Sequence, residues 1–167
     1  IYPDETPASD VLQDLAEEMD ERYRLFQKTG VDTRDDYVEK TGQMLPRIVC
    51  ICDEYFDLIN RGKKYKEAVE TQICRLGAKA RAAAIHLIIA TQYPSRKVIK
   101  GALDANLPAR IGLKMSKSIE SNMLLGTAGA ENLLGDGDLL FKDIGEPRRL
   151  QAPLLSKEQR KEIFAKR

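Results

Sequence analysis

Residues 48–52, Ile-Val-Cys-Ile-Cys, form a short, continuous apolar run that stops on Asp53-Glu54. A β-branched run of this length is the mark of a strand covered on both faces, as in a parallel sheet. A second run, Ile85-His86-Leu87-Ile88-Ile89-Ala90, ends on Thr91-Gln92. Between the two, a helix starts near Tyr55, breaks around Asn60-Arg61-Gly62 and gives way to a longer helix over about 65–83, with Val69, Ile73, Leu76 and Ala80 as its buried stripe. Ala109–Lys114 reads as a third strand. Strand, helix, strand, helix, strand predicts an α/β fold, a mostly parallel sheet flanked by helices with right-handed crossovers. Ligands on such sheets collect at the carboxyl ends of the strands, where Asp53-Glu54, Thr91-Gln92 and the residues after Lys114 fall.

The flanking segments are read in the same way. Residues 1–8 carry Pro3 and Pro7 without periodicity and predict an extended lead-in. Val11, Leu12, Leu15, Met19, Tyr23 and Phe26 recur at spacings of three and four, which predicts an amphipathic helix over 9–28, capped by Ser9 or Asp10 and ended by Gly30. Asp14, Glu17, Glu18 and Glu21 would face outward. A second short helix is expected over 33–40. Pro94 and Ser95 should open a helix to about Asp104, and Ser116 or Ser118 should cap one running through Leu125. Four glycines, Gly126, Gly129, Gly135 and Gly137, make 126–137 a loop-rich segment with a short helix at 130–134. Asp138–Phe141 and Arg148–Pro153 then read as a short C-terminal antiparallel pair. Residues 154–167 read as a charged tail.

The 167 residues hold 27 Lys+Arg and 26 Asp+Glu, a net charge of +1, which excludes a uniformly basic nucleic-acid coat. The balance conceals a separation. Residues 1–46 carry twelve acids against five bases, and residues 61–117 carry thirteen bases against three acids, so any polyanion contact belongs in the middle of the chain. Cys50, Cys52 and Cys74 lack the spacing of a zinc ribbon and fit a reducing cytoplasm, and the two inside the apolar run, Cys50 and Cys52, read as small buried hydrophobes. No apolar run approaches the roughly 20 residues of a membrane span. Opening on Ile1 instead of Met, the chain is expected to be a piece of something longer. His86, at the start of a buried strand, is expected to be a core residue.

A hydrophobic strand running into Asp-Glu is how a nucleotide hydrolase places a metal-side carboxylate beside a water-activating one. In that reading Asp53 holds Mg²⁺ and Glu54 orients or deprotonates the attacking water. The competing reading has both acids capping the following helix, where they suit the positive end of its dipole. Gln92, at the end of the second strand, is placed to sense a γ-phosphate, and Arg110 is a candidate for charge stabilisation in trans.

Five co-linear motifs carry a resemblance. They are Leu45 to Glu54, Lys79 to Leu87, Ala90-Thr91-Gln92-Tyr93-Pro94-Ser95, Asn106 to Ile111, and Gly129 to Leu140. Together they resemble the motor domain of FtsK/SpoIIIE-type double-stranded DNA translocases over about residues 12–153. The resemblance implies a partial RecA-like ATPase domain over 9–153, ATP and Mg²⁺ as cofactors, double-stranded DNA as partner and a homo-hexameric ring in the full-length protein. It carries Asp53 over as metal ligand, Glu54 as catalytic base, Gln92 as sensor and Arg110 as trans arginine, with Arg81 second for an interface role. Thr91, Gly135, Gly137 and Asp138 are carried over as nucleotide-side residues. The same matches resemble the motor of phosphorothioation-dependent DNA restriction.

Departures from the family pattern limit what the chain does alone. No Gly-x-x-x-x-Gly-Lys-Ser/Thr phosphate loop occurs in it, and since such motors need that loop to cradle phosphates, the isolated chain is expected to be inactive. Tyr93 stands where the family commonly has arginine, and Ala84 where it has glycine, crowding the turn into the second strand. Backbone contacts to DNA are expected from Lys63, Lys64, Arg96 and Lys97, with Lys66, Arg75, Lys79 and Lys100 as weaker candidates. Two other readings stand beside the motor. One is a non-catalytic DNA-binding or assembly module on a decayed ATPase fold, and the other a stand-alone metal-dependent hydrolase using Asp53, Glu54 and Asp138.

Overall fold

The computed structural model describes residues 7–95, 98 and 101–165, which divide into two compact units meeting between Leu107 and Pro108. In the first unit, helix α1 (Ala8–Thr29) precedes α2 (Arg34–Thr41), strand β1 (Ile48–Cys52), α3 (Tyr55–Ile59), α4 (Lys63–Lys79), β2 (Ile85–Ile89) and α5 (Gly101–Asn106). α1 buries Leu12, Leu15, Ala16, Met19 and Phe26, and α4 buries Val69, Ile73 and Leu76, with Ala80 just beyond it. The two helices run parallel, since their cross-links rise together. Ala8 N–H meets the Tyr65 hydroxyl, Gln72 meets Gln13, Arg75 pairs with Asp20, and the Tyr23 hydroxyl donates to the Lys79 carbonyl.

β1 and β2 pair in parallel, with Ile48 opposite Ile85 and Cys52 opposite Ile89. Arg22, 2% exposed on the apolar stripe of α1, reaches the entrance of both strands. One of its nitrogens donates to the Pro46 and Ala83 carbonyls, each at 2.8 Å, while Nε pairs with Glu18 at 2.7 Å. Those carbonyls each lie two residues before their strand, so one guanidinium holds the pair in register.

Coverage of this sheet differs from the sequence expectation. Cys50, Cys52, Ile85, Leu87 and Ile89 face the helices, whereas Val49, Ile51, His86 and Ile88 share the other face and are exposed. His86 is therefore a surface residue on an open apolar face, not a core residue. A continuous apolar run reports that both faces are hydrophobic but not which one these residues cover. Cys52 is buried and Cys50 and Cys74 half-buried, all three as free thiols. On the covered face, the neighbouring Cys52 thiol lowers Cys50, while the same contact and burial raise Cys52.

Element ends were harder to read. α1 starts one residue ahead of Ser9, with Pro7 at the cap position and no side-chain cap. Thr33 caps α2, its hydroxyl accepting from Asp36 N–H at 3.2 Å. α4 stops at Lys79, and a turn carries the chain through Ala84 at φ +58°, the left-handed conformation that glycine adopts most cheaply. Pro94 and Ser95 are not helical, α5 covers Gly101–Asn106, and residues 96, 97, 99 and 100 of the expected helix lie outside the described residues.

The second unit contains β3 (Arg110–Gly112), α6 (Ser118–Leu125), a single 3₁₀ turn at Ala130–Asn132, β4 (Asp138–Lys142), β5 (Arg148–Gln151) and α7 (Lys157–Ala165). The expected antiparallel pair forms, Leu139 opposite Leu150, and β3 joins it as a third antiparallel strand, Ile111 opposite Phe141. The strand–helix alternation predicts β3 in the parallel sheet, whereas it pairs antiparallel with β4. Gly112 explains its packing, because an added Cβ would come within 2.9 Å of Leu125 Cδ1, so its missing side chain lets α6 close on the strand. Lys117 occupies the cap position of α6, where Glu120 reaches back to its N–H at 3.2 Å, so neither Ser116 nor Ser118 is the cap. α7 buries none of its side chains.

Candidate functional site

Because β1 and β2 end side by side, Asp53-Glu54 and Thr91-Gln92 leave the sheet together at its carboxyl end. Backbone bonds tie the two exits. Ala90 N–H donates to the Cys52 carbonyl and Tyr55 N–H to the Ala90 carbonyl, both at 2.8 Å. Glu54 makes the turn from β1 into α3 at φ 48°, ψ 60°, a left-handed conformation costing an L-residue about 1–2 kcal/mol.

The Glu54 side chain does not cap α3 but crosses to β2. The Thr91 hydroxyl donates to Glu54 Oε1 at 3.1 Å, and Gln92 N–H lies 3.4 Å from Oε1 and 3.3 Å from Oε2. Tyr93 N–H in turn donates to Thr91 Oγ1 at 3.1 Å. Asp53 is exposed, with Oδ1 accepting from Glu54 N–H at 3.0 Å. The site thus holds one carboxylate gripped by the neighbouring strand and one facing solvent. Gln92 is exposed beside them, and Tyr93, 61% exposed, packs its ring 5.3 Å from that of Phe56.

A single exposed carboxylate fits Mg²⁺, which is ordinarily held by one or two protein carboxylates, waters and substrate phosphates. Among the described residues no three His, Cys, Asp or Glu side chains form a group able to hold a metal ion. The Asp53, Glu54 and Asp138 hydrolase also meets a chemical obstacle, because Asp138 is committed elsewhere. It is 6% exposed, accepts from Leu134 N–H at 2.7 Å, and takes Arg149 Nε and a terminal nitrogen at 2.9 and 2.6 Å. The Arg149 guanidinium and the Leu134 amide together hold its carboxyl down at about 2.

The remaining expected residues fall on other elements. Arg110, half-buried on β3, donates to the Leu124 carbonyl at the end of α6 at 3.2 Å. Gly135 and Gly137 have φ of +95° and +89° in the turn into β4, and a Cβ at Gly137 would stand 3.1 Å from the Ala152 carbonyl oxygen. The second unit also holds a cleft of about 340 Å³ lined by Thr127, Gly129, Asn132, Leu140, Glu146 and Arg149. Lys63 and Lys64 are exposed in the first turn of α4. Lys66 pairs with Glu70 at 3.5 Å and Arg75 with Asp20, the ordinary fate of surface cations. Arg96, Lys97 and Lys100 lie outside the described residues.

Two structural arginines escaped the sequence reading. Arg22 had a legible signal, a cation on the apolar stripe one turn after Glu18. Arg149 had none, since its partner Asp138 is a neighbour only once β4 and β5 pair.

The FtsK/SpoIIIE family model matches residues 3–96. DNA translocase FtsK of Lactococcus lactis subsp. cremoris (strain MG1363) is 47% identical over 161 residues, covering 89% of this chain and 21% of the relative. DNA translocase FtsK of Streptococcus agalactiae serotype V is 45% identical over 161 residues, with 89% and 19% covered. The chain thus spans about a fifth of these relatives' length. Among solved structures, the monomer form of the pCW3 conjugation coupling protein TcpA with ATPγS superposes with a TM-score of 0.83 at 26% identity, over 96% of this chain and 49% of that one. The cytoplasmic domain of the Thermomonospora curvata type VII secretion ATPase EccC follows the same fold, with a TM-score of 0.74 at 22% identity over 90% and 18%. The fold is the RecA-like α/β fold that the motifs implied.

Proposed function

The chain belongs to the FtsK/SpoIIIE family, and from that premise we propose that it is the part of an ATP-driven double-stranded DNA translocase motor that carries the water-activating side of the nucleotide site. The observation that carries this reading is the Glu54 carboxylate, turned away from helix capping and held at the end of β2 by Thr91 and Gln92. Helix capping would have directed the acid at α3; it turns instead to the carboxyl end of the neighbouring strand, the end of such sheets where ligands collect. The relatives named as translocases favour the motor over a non-catalytic module on the same fold.

In this reading ATP is bound with its phosphates in a Gly-Lys-Ser/Thr loop outside these 167 residues. Asp53 would hold Mg²⁺, which would supply positive charge against that of the phosphates. Glu54 accepts a proton from the attacking water and fixes its line of approach. Gln92 is the polar group nearest the transferred phosphate. The same reading supplies Arg110 to a neighbouring subunit's nucleotide in a homo-hexamer, with Gly135 and Gly137 shaping a loop on the nucleotide side. Lys63, Lys64, Arg96 and Lys97 meet phosphates of duplex DNA without reading its sequence. Three free thiols suit a reducing cytoplasm, and no described helix is long and apolar enough to cross a membrane.

Triplex displacement by the complete polypeptide that carries this chain is the direct test. The wild type should strip a third strand from duplex DNA in an ATP-dependent manner, and Glu54→Gln should not. Displacement by Glu54→Gln at the wild-type rate would overturn the assignment.

A further inference from the structure

The hydroxyl of Thr91 has two bonds of defined direction. Tyr93 N–H can only donate, so at 3.1 Å it occupies a lone pair of Thr91 Oγ1. An ionised carboxylate can only accept, so the contact of 3.1 Å to Glu54 Oε1 uses the single hydroxyl proton. A hydroxyl is the group able to relay between a backbone donor and a carboxylate at this spot. Valine, the same shape, can do neither.

Besides this relay, one backbone amide is the other described group that bears on the carboxylate's direction. Glu54 has a left-handed backbone on a sharp turn, and a Glu side chain has three rotatable bonds. Its other described contact is Gln92 N–H, at 3.3 and 3.4 Å, long for an N–H···O bond and shared between both oxygens. The Thr91 bond falls on Oε1 alone, while the Gln92 N–H lies slightly nearer Oε2.

We infer that Thr91 is a positioning residue for the Glu54 carboxylate, acting through a hydroxyl that is itself oriented by Tyr93 N–H and not through contact with nucleotide. The inference rests on Glu54 being the catalytic base of the proposed reaction. Orientation of a general base is worth much rate and little ground-state binding, since misplacing a reacting group by about 1 Å costs about 100-fold.

The test uses the complete polypeptide, with steady-state ATP turnover and the affinity for ATPγS measured separately. Thr91→Ser, which keeps the hydroxyl, should stay within about threefold of wild-type kcat, a small fraction of the full effect. Thr91→Val should lower kcat about 10- to 100-fold with ATPγS affinity unchanged. Thr91→Ala adds no bulk and is run alongside, so that a folded variant without the hydroxyl is in hand. Wild-type kcat in a folded Thr91→Val or Thr91→Ala overturns the inference. So does a loss of ATPγS affinity matching the loss of turnover, which would make Thr91 a nucleotide contact. Glu54→Gln separates the two levels. If it retains turnover, the reading of Glu54 itself falls; if it abolishes turnover while Thr91→Val does not, only the role of Thr91 falls.

Discussion

Arg22 has its guanidinium among three acceptors, and two of them are backbone carbonyls at the feet of β1 and β2. Replacing it by leucine would keep the apolar stem but orphan both carbonyls and leave Glu18 without its partner. The expected cost is about 2–4 kcal/mol, read by urea unfolding, against less than about 1 kcal/mol for Glu18→Gln at the half-exposed end of the pair. Asp138 makes a second residue-level prediction. Its folded carboxyl titrates at about 2, below the ordinary 3.8, so the ion pair with Arg149 stabilises the second unit above the unfolded value and is lost as pH falls toward 2. Melts should show stability falling between about pH 4 and 2, and Asp138→Asn should flatten that part of the profile. The residues at the site were more legible than these two. Asp53, Glu54, Thr91 and Gln92 sit at the ends of apolar runs, a pattern local in sequence, whereas the carbonyl partners of Arg22 and the carboxylate partner of Arg149 become neighbours only after strands pair.

The elements followed their periodicity, and their edges did not. The stripe of α1 and the run of β1 fall where spacing placed them because burial repeats at fixed intervals. Caps failed where a different residue took the position, as Lys117 did for α6, its N–H held by the Glu120 side chain. β3 changed sheets because three residues carry too little pattern to choose a partner, and it was Gly112 against Leu125 that decided its packing. Ala84 shows what an element end can store. It sits at φ +58° and is 3% exposed. Ala84→Val would put a β-branched side chain there and should cost about 2 kcal/mol or more by thermal or urea unfolding. Ala84→Gly relieves the strain but loses a buried methyl and gains unfolded-state entropy, and should stay within about 1 kcal/mol of wild type.

The whole chain separates its charge, with acids concentrated before residue 46 and bases between 61 and 117, and it places Asp53 and Glu54 at one end of a parallel strand pair. It contains no phosphate-cradling loop, so these 167 residues alone should not turn over ATP. The motor account stands or falls on whether Glu54 performs the hydrolytic step. The most direct measurement is DNA-stimulated ATP turnover by the complete polypeptide, wild type against Glu54→Gln, with ATP binding followed in the same samples. Turnover should drop by about 10²- to 10⁴-fold while ATP stays bound. Turnover by Glu54→Gln equal to the wild type would contradict the account.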